Sequence, residues 1–302
     1  SFNLVLTARA GSFGSRESVN PPNDIYSAGW PELGAAGDIG DCNSPWDLVT
    51  AGLLDNGGTK QPSVFGAILA LGDLAYETGS LEEFNTCYEG SWGPLKSLTK
   101  PTPGDIEYRT PGAAGYFSYW GKRAGNPAKG WYSYDVGTWH VISLNSNCAQ
   151  VGGCYAGSPQ EVWLRRDLAA HKTRCTLAYW HHPRFSGGQV TSDEEMQPFW
   201  QALYDYNADV VLSAHARNYQ RFAPQTPTGV ADPVRGIREF VVGTGGNHKL
   251  DPVAAIANTE AAQARAWGVL YLTMRGSGYR WFFVQAANTP YGSQDSGSQS
   301  CH

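Results

Sequence analysis

Five short segments of this 302-residue chain gather the side chains that bind divalent cations or carry protons. They are Gly37-Asp38-Ile39-Gly40-Asp41, Gly72-Asp73-Leu74-Ala75-Tyr76, Pro103-Gly104-Asp105-Ile106-Glu107-Tyr108, Tyr179-Trp180-His181-His182-Pro183, and Ser213 to Arg221, which contains His215 and Arg217. Carboxylate oxygens combined with imidazole nitrogens suit Zn, Mn or Fe(II). One Gly-Asp after a strand is commonly just a turn with an Asx cap. The signal lies in the order of the segments and in the apolar run before most of them.

Those runs predict the elements that position the segments. Leu33 to Ala36 and Val64 to Leu71 read as strands ending at Gly37-Asp38 and Gly72-Asp73, the second buried on both faces. Ser44 to Leu54 reads as a helix, with Ser44 as cap and Pro45 in its first turn. Trp131 to Leu144 predicts two strands around Gly137-Thr138, Glu161 to His171 a helix, and Cys175 to Trp180 a strand. Met196 to Tyr206 reads as a helix, Asp209 to Leu212 and Glu239 to Val242 as strands, and Gly268–Met274 with Tyr279–Val284 as a hairpin. Strand–helix alternation with polar residues at strand ends implies an α/β fold, an αββα-sandwich of mixed sheets flanked by helices. With no repeat and no clear linker, residues 1–302 are expected to form one domain, and 1–31 an N-terminal strand (Phe2 to Ala8) and surface arm.

A net charge of −5 argues against nucleic acid as partner. No apolar run is long enough to cross a bilayer, so no membrane partner is expected. The six cysteines are an even count without a Cys-x-x-Cys pair, and Lys is scarce, which suits a secreted, oxidised protein with Ser1 as a mature start. Six free thiols in a cytosolic enzyme are the alternative.

Together the five segments, with Asn145-Ser146-Asn147-Cys148, Trp180-His181-His182-Pro183-Arg184-Phe185 and Val241-Val242-Gly243-Thr244-Gly245-Gly246, resemble the purple acid phosphatase branch of the calcineurin-like metallophosphoesterases over about residues 30 to 302. The resemblance implies a secreted hydrolase with two metals bridged by one aspartate. It also suggests the pairs Cys42–Cys87, Cys148–Cys154 and Cys175–Cys301. Carried over, Asp73, Asp105, His181 and His215 would hold one divalent metal, with Asp105 in place of the family's asparagine. Asp38, Asp73 and Tyr76 would hold the other with a second histidine, but that position is Arg217. A guanidinium has no lone pair to give a cation. Asp38, Tyr76 and Arg217 therefore mark a vacated first-metal site, with the arginine either neutralising those acids or facing solvent. Ile106 stands where the family has a histidine, and Ala214 where it has a glycine.

One metal in place of two, and aspartate for asparagine, make the expected site less positive, which disfavours a phosphate dianion. His182, Tyr76 and Tyr108 are candidate proton carriers, Arg109 and Arg184 candidate anion contacts, and Arg217 joins them as a candidate catalytic residue. His182 could equally pack beside His181. His140 reads as a satisfied core histidine, His248 as a residue that could reach the cleft, and Glu107 as a structural hydrogen-bond acceptor. Tyr26, Trp30, Tyr116, Tyr119 and Trp120 either line the cleft as a sugar platform or pack loops. The expected partner is an anionic small molecule or saccharide. Three functions follow: an ester hydrolase of phosphoester type, a metal-assisted lyase of uronate-containing polysaccharide, or an inactive binding protein on the same scaffold.

Overall fold

Successive side chains along the central strands enter different cores, and this alternation decides the layering. A computed structural model describes residues 29–55, 65–286 and 295–302. In chain order its principal elements begin with β1 (Glu32–Ala36), α1 (Trp46–Leu54), β2 (Phe65–Leu71), α2 (Leu81–Glu83), β3 (Thr99–Thr102), α3 (Asp105–Tyr108), α4 (Ala114–Trp120), β4 (Tyr132–Val136) and β5 (Trp139–Ser143). They continue with α5 (Pro159–Ala170), β6 (Cys175–Tyr179), α6 (Gln197–Asp205), β7 (Val210–Ser213), β8 (Tyr219–Phe222) and β9 (Arg238–Val242). The last four are β10 (Thr259–Gln263), β11 (Gly268–Arg275), β12 (Gly278–Gln285) and β13 (Asp295–Ser300).

One sheet runs β13-β12-β11-β1-β2-β3 and the other β10-β8-β9-β7-β6-β5-β4. The site-bearing pairs β1–β2 and β6–β7 are parallel. Leu177 and Tyr179 of β6, Val210 and Leu212 of β7, and Phe240 and Val242 of β9 join the core shared with the first sheet. Their neighbours Ala178, Val211 and Val241 face the other way, onto Leu164 and Leu168 of α5 and Phe199, Trp200 and Leu203 of α6. On the far side α1 lies against β11, where Tyr271 Oη donates to the Leu53 carbonyl at 2.6 Å. The result is the αββα-sandwich, with mixed sheets and helices outside.

Several expected elements start or stop a residue or two away. The first helix begins at Trp46, with Pro45 at the cap position; the Ser44 hydroxyl accepts from the Trp46 N–H at 3.2 Å. β3 carries Pro101, which argues against a strand by pattern, and the fold places it at a sheet edge where proline is tolerated. β13 is also an edge strand, and its Asp-Ser-Gly-Ser-Gln-Ser sequence has no apolar face to read. The expected Phe2 to Ala8 strand lies outside the described residues, as does the arm up to residue 28, with Tyr26 in it.

Three disulfides form: Cys42–Cys87, Cys148–Cys154 and Cys175–Cys301, with Cα separations of 4.8, 5.1 and 5.5 Å. Among the described residues no helix is long and apolar enough to cross a membrane.

Candidate metal centre

The carboxyl ends of the parallel strands from both sheets meet at one place. Past β1 and β2 the loops stay paired: the Asp38 N–H donates to the Gly72 carbonyl at 3.0 Å, and the Ile39 N–H to the Asp73 carbonyl at 2.9 Å. Past β6 and β7 the Ala214 N–H donates to the His181 carbonyl at 2.9 Å. Asp38, Asp73 and His215 all take left-handed backbone angles, φ 57°, 54° and 61°. Such angles are unfavourable for side chains with a Cβ and persist where surrounding structure enforces them, commonly at functional sites. Two glycines show the crowding. A Cβ on Gly72 would fall 2.6 Å from His181 Nδ1, and one on Gly104 would fall 2.1 Å from Asp73 Oδ1.

Asp73, Asp105, His181 and His215 each offer a donor atom, all within 4.8 Å of one another. His181 Nε2 is 3.2 Å from Asp73 Oδ1, 3.4 Å from Asp105 Oδ1 and 3.1 Å from His215 Nδ1. His215 Nδ1 is 3.1 Å from Asp105 Oδ1. The other ring nitrogen of His181 faces the Leu71 carbonyl at 2.8 Å. A carbonyl can only accept, so Nδ1 carries a proton and Nε2 is the nitrogen turned toward the cluster. Burial raises the Asp105 carboxyl, but the His181 and His215 rings more than reverse this and hold it well below the usual carboxylate range.

These residues fit a divalent cation. Asp105 Oδ1 is buried and aligned as a hydrogen-bond acceptor with neither imidazole, although both are close. Donor separations near 3.1–3.4 Å match the roughly 3.4 Å between ligands of a tetrahedral ion with ~2.0–2.2 Å bonds.

The other side of Asp73 does not fit a second ion. The Tyr76 hydroxyl donates to Asp38 Oδ1 at 2.6 Å and lies 3.0 Å from Asp73 Oδ2. Burial, then the charges of Asp38 and Asp73, push that phenol well above its ordinary value, so it keeps its proton. Asp38 Oδ2 accepts the His215 N–H at 2.9 Å. The fourth position is Arg217, whose expected partners need correcting. Its guanidinium hydrogen-bonds Asp251, Nε to Oδ2 at 3.2 Å and one terminal nitrogen to Oδ1 at 3.4 Å. Burial lowers the Arg217 guanidinium, and Asp38, Asp251 and Tyr76 raise it further than burial lowers it. Asp38 and Tyr76 thus sense Arg217 by charge, while Asp251 holds it.

His182 borders the cluster: Nε2 is 3.9 Å from Asp105 Oδ1, and the ring centre is 4.5 Å from that of His215. Its Nδ1 lies 2.7 Å from Ser146 Oγ. Burial and the neighbouring histidines push it well below its ordinary value, so it stays neutral. Tyr108 Oη accepts from Asn145 Nδ2 at 2.7 Å. Arg109 donates to the Glu77 carbonyl at 3.1 Å, and its other terminal nitrogen is 4.0 Å from Asp105 Oδ2, with half of the side chain exposed. Glu107 accepts the N–H groups of Asp73, Leu74, Ala75 and Gly104, which makes it the clamp of two site loops.

Arg184 is not an anion contact. It is buried at 3% exposure, with its guanidinium bound to Glu194 and the Pro227 carbonyl. Tyr116, Tyr119 and Trp120 are buried as well and pack with Phe84 and Tyr88, so they form no sugar platform. Trp30 is exposed, near Gly276. His140 is buried, with each ring nitrogen facing a carboxylate, Asp135 and Asp167. His248 faces Asp41. Sequence reasoning gave no role to Asp251, Ser146 or Asp41: Asp251 lies outside the quoted segments, Ser146 and Asp41 lie within them, and only chain folding shows what each touches.

The sequence model of the calcineurin-like phosphoesterase family matches residues 34–216. No curated protein matches by sequence. Among solved structures, a purple acid phosphatase from yellow lupin seeds superposes with a TM-score of 0.74 at 17% identity, over 89% of this chain and 53% of the lupin chain. The chain therefore spans about half the length of that enzyme. GAP50, the anchor in the inner membrane complex of Plasmodium, superposes with a TM-score of 0.65 at 12% identity, over 90% of this chain and 89% of its own. PhoD superposes with a TM-score of 0.57 at 12% identity, over 90% of this chain and 70% of its own. At these identities the superpositions speak to fold alone.

Proposed function

We propose, from the premise that this chain belongs to the calcineurin-like phosphoesterase family, that it is a secreted ester hydrolase of phosphoester type working with one divalent cation. Asp73, Asp105, His181 and His215 would hold Zn, Mn or Fe(II). The observation that carries this reading is the contrast across Asp73. On one side four donors converge around a buried, unaligned carboxylate oxygen; on the other, Tyr76 keeps a proton between two aspartates and Arg217 is held by Asp251. The three disulfides support an extracellular setting.

When bound, the cation supplies Lewis-acid charge and a water that ionises more readily. The protein's own residues do the rest. Leu71 orients the His181 ring, and Glu107 keeps the Asp73 and Asp105 loops in register. Arg109 offers an exposed cation at the rim beside Asp105, and Arg217 offers a half-buried one near Asp38. With one cation and a paired arginine where two cations would stand, the site favours monoanionic or neutral esters over dianionic monoesters. The expected substrate is an anionic small molecule or saccharide ester.

Metal analysis of the purified protein tests the reading. About one tightly held ion per chain, lost on His181→Ala, supports it; none after supplementation, or two, would overturn it. A second reading, a non-catalytic binding protein, is favoured by Ile106, buried at 3% exposure, and by the engagement of Arg217 with Asp251. The Plasmodium protein of similar fold is itself described as an anchor. The uronate-lyase reading needs a base, but Tyr76 and Tyr108 each have one oxygen, already hydrogen-bonded within the protein, which leaves it Nε2 of His182, the ring nitrogen away from Ser146.

A further inference from the structure

The strap between Gly243 and Asp251 is stitched to the site at both ends. The Asn247 N–H donates to the Asp38 carbonyl at 2.9 Å, and the Asp251 N–H to the Arg217 carbonyl at 2.8 Å. Between these points His248 donates its N–H to Asp41 Oδ2 at 3.2 Å, and its ring Nδ1 meets the same oxygen. Asp41 is buried at 1% exposure. An ionised carboxylate only accepts, so the Nδ1 proton points at it and Nε2 is turned away. The ring remains 35% exposed. Backbone dimensions put the His248 Cα within about 8 Å of the Asp38 carbonyl oxygen. The strap is also backed: Trp267 Nε1 donates to the Asn247 carbonyl at 2.9 Å, and Trp267 stacks on Trp46 at 4.1 Å.

The other histidines are committed. Of the seven, His181 and His215 belong to the proposed ligand set. His182 is neutral, with Nδ1 on Ser146. His140 and His171 stack on each other beside Asp167, and His302 contacts Asp209.

We propose that His248 is the proton donor to the leaving oxygen of the substrate and that Asp41 is the residue that positions it. The inference rests on the hydrolase reading above. As the bond to the leaving oxygen breaks, its electron pair stays on that oxygen and takes the proton from His248 Nε2. The water whose oxygen enters the product releases one proton, and solvent returns one to His248, so the cycle balances. Asp41 keeps the ring in one orientation, as a buried carboxylate does for a catalytic imidazole.

The test compares a nitrophenyl ester, whose leaving group needs no proton, with an alkyl ester of the same acid, in wild type, His248→Gln and Asp41→Asn, all loaded with metal. His248→Gln is expected to lose about 100-fold more activity on the alkyl ester than on the nitrophenyl ester, with the alkaline limb of the pH profile gone and metal content unchanged. Asp41→Asn is expected to lower kcat on the alkyl ester more than on the nitrophenyl ester, with KM unchanged. Equal losses on both esters, or an unchanged limb, would overturn the proposal. If wild type hydrolyses neither ester, the hydrolase reading falls by itself. In that case the His248 Nε2 resonance is followed as inorganic phosphate is added to metal-loaded protein. A shift supports a ring facing the bound anion, and an unmoved resonance overturns it.

Discussion

The Arg217 guanidinium lies against the Asp251 carboxylate, Nε 3.2 Å from Oδ2, and the main chains of the same two residues share a 2.8 Å hydrogen bond. The pair joins the loop after β7 to the strap after β9, and it stands where the family resemblance calls for a metal ligand. The residue at that position thus carries a positive charge of its own, paired with a carboxylate of the same chain.

Reopening that position should change stoichiometry. Arg217→His with Ile106→His and Asp105→Asn is expected to raise bound metal from about one to about two ions per chain. Mass-spectrometric metal counting reads this directly, and an unchanged count would contradict the assignment of the two sides of Asp73.

Removing the partner instead should cost stability. Arg217→Ala leaves Asp251, whose side chain is 7% exposed, without its ion pair. The expected loss is about 2 kcal/mol, near the penalty of an unsatisfied buried polar group. Urea unfolding of the single variants and of Arg217→Ala with Asp251→Ala checks it: the double variant should recover part of the loss.

Stability should fall as pH rises through neutrality. Glu32 is buried at 1% exposure, and Oε2 has no hydrogen-bond partner among the described residues. Burial pushes its carboxyl up to about 7. A raised folded-state value means the contribution is fully present below the ordinary carboxyl range and is lost as pH climbs through about 7. The span is on the order of 3 kcal/mol. Glu32→Gln should flatten unfolding midpoints between acid and alkaline buffer, and a slope identical to wild type would refute this.

His140 works in the same direction by another cause. Burial lowers its imidazole, and the hydrogen bonds and charges of Asp167 and Asp135 more than compensate and raise it. Its stabilisation is fully present below the ordinary histidine value and lost as pH rises through the raised one. Nitrogen NMR should find His140 still charged at pH where a free imidazole is neutral.

The disulfides should differ in weight. Cys175–Cys301 closes 126 residues and ties β6 to the chain beyond β13; Cys148–Cys154 closes only 6. Chain-entropy reasoning predicts a loss of about 5 kcal/mol for the first and about 2 kcal/mol for the second on replacement by serine. Equal losses in denaturant would count against that ordering.

Much of the scaffold was legible. Leu33 to Ala36, the run into Leu71 and the run into Leu212 are apolar, end at polar turns and become β1, β2 and β7, because a buried parallel strand has few sequences open to it. Pro101 and the polar Asp295–Ser300 strand hid β3 and β13, since edge strands owe their place to a neighbour rather than to an apolar pattern. Arg184 misled for a similar reason: beside the histidine segment it looked available, and the fold buries it against Glu194.

By itself the sequence determined which side chains stand at the strand ends: Asp38, Asp73, His181 and His215 follow from local pattern, because strand direction and a tight turn fix where the next residue points. The tertiary structure alone decided what each of them touches. Arg217 and Asp251 are 34 residues apart, and Asp41 and His248 are 207 apart. No local periodicity links such residues. They meet because two sheets pack face to face and bring the loops at their carboxyl ends together, and a buried charge then takes whichever partner that packing supplies.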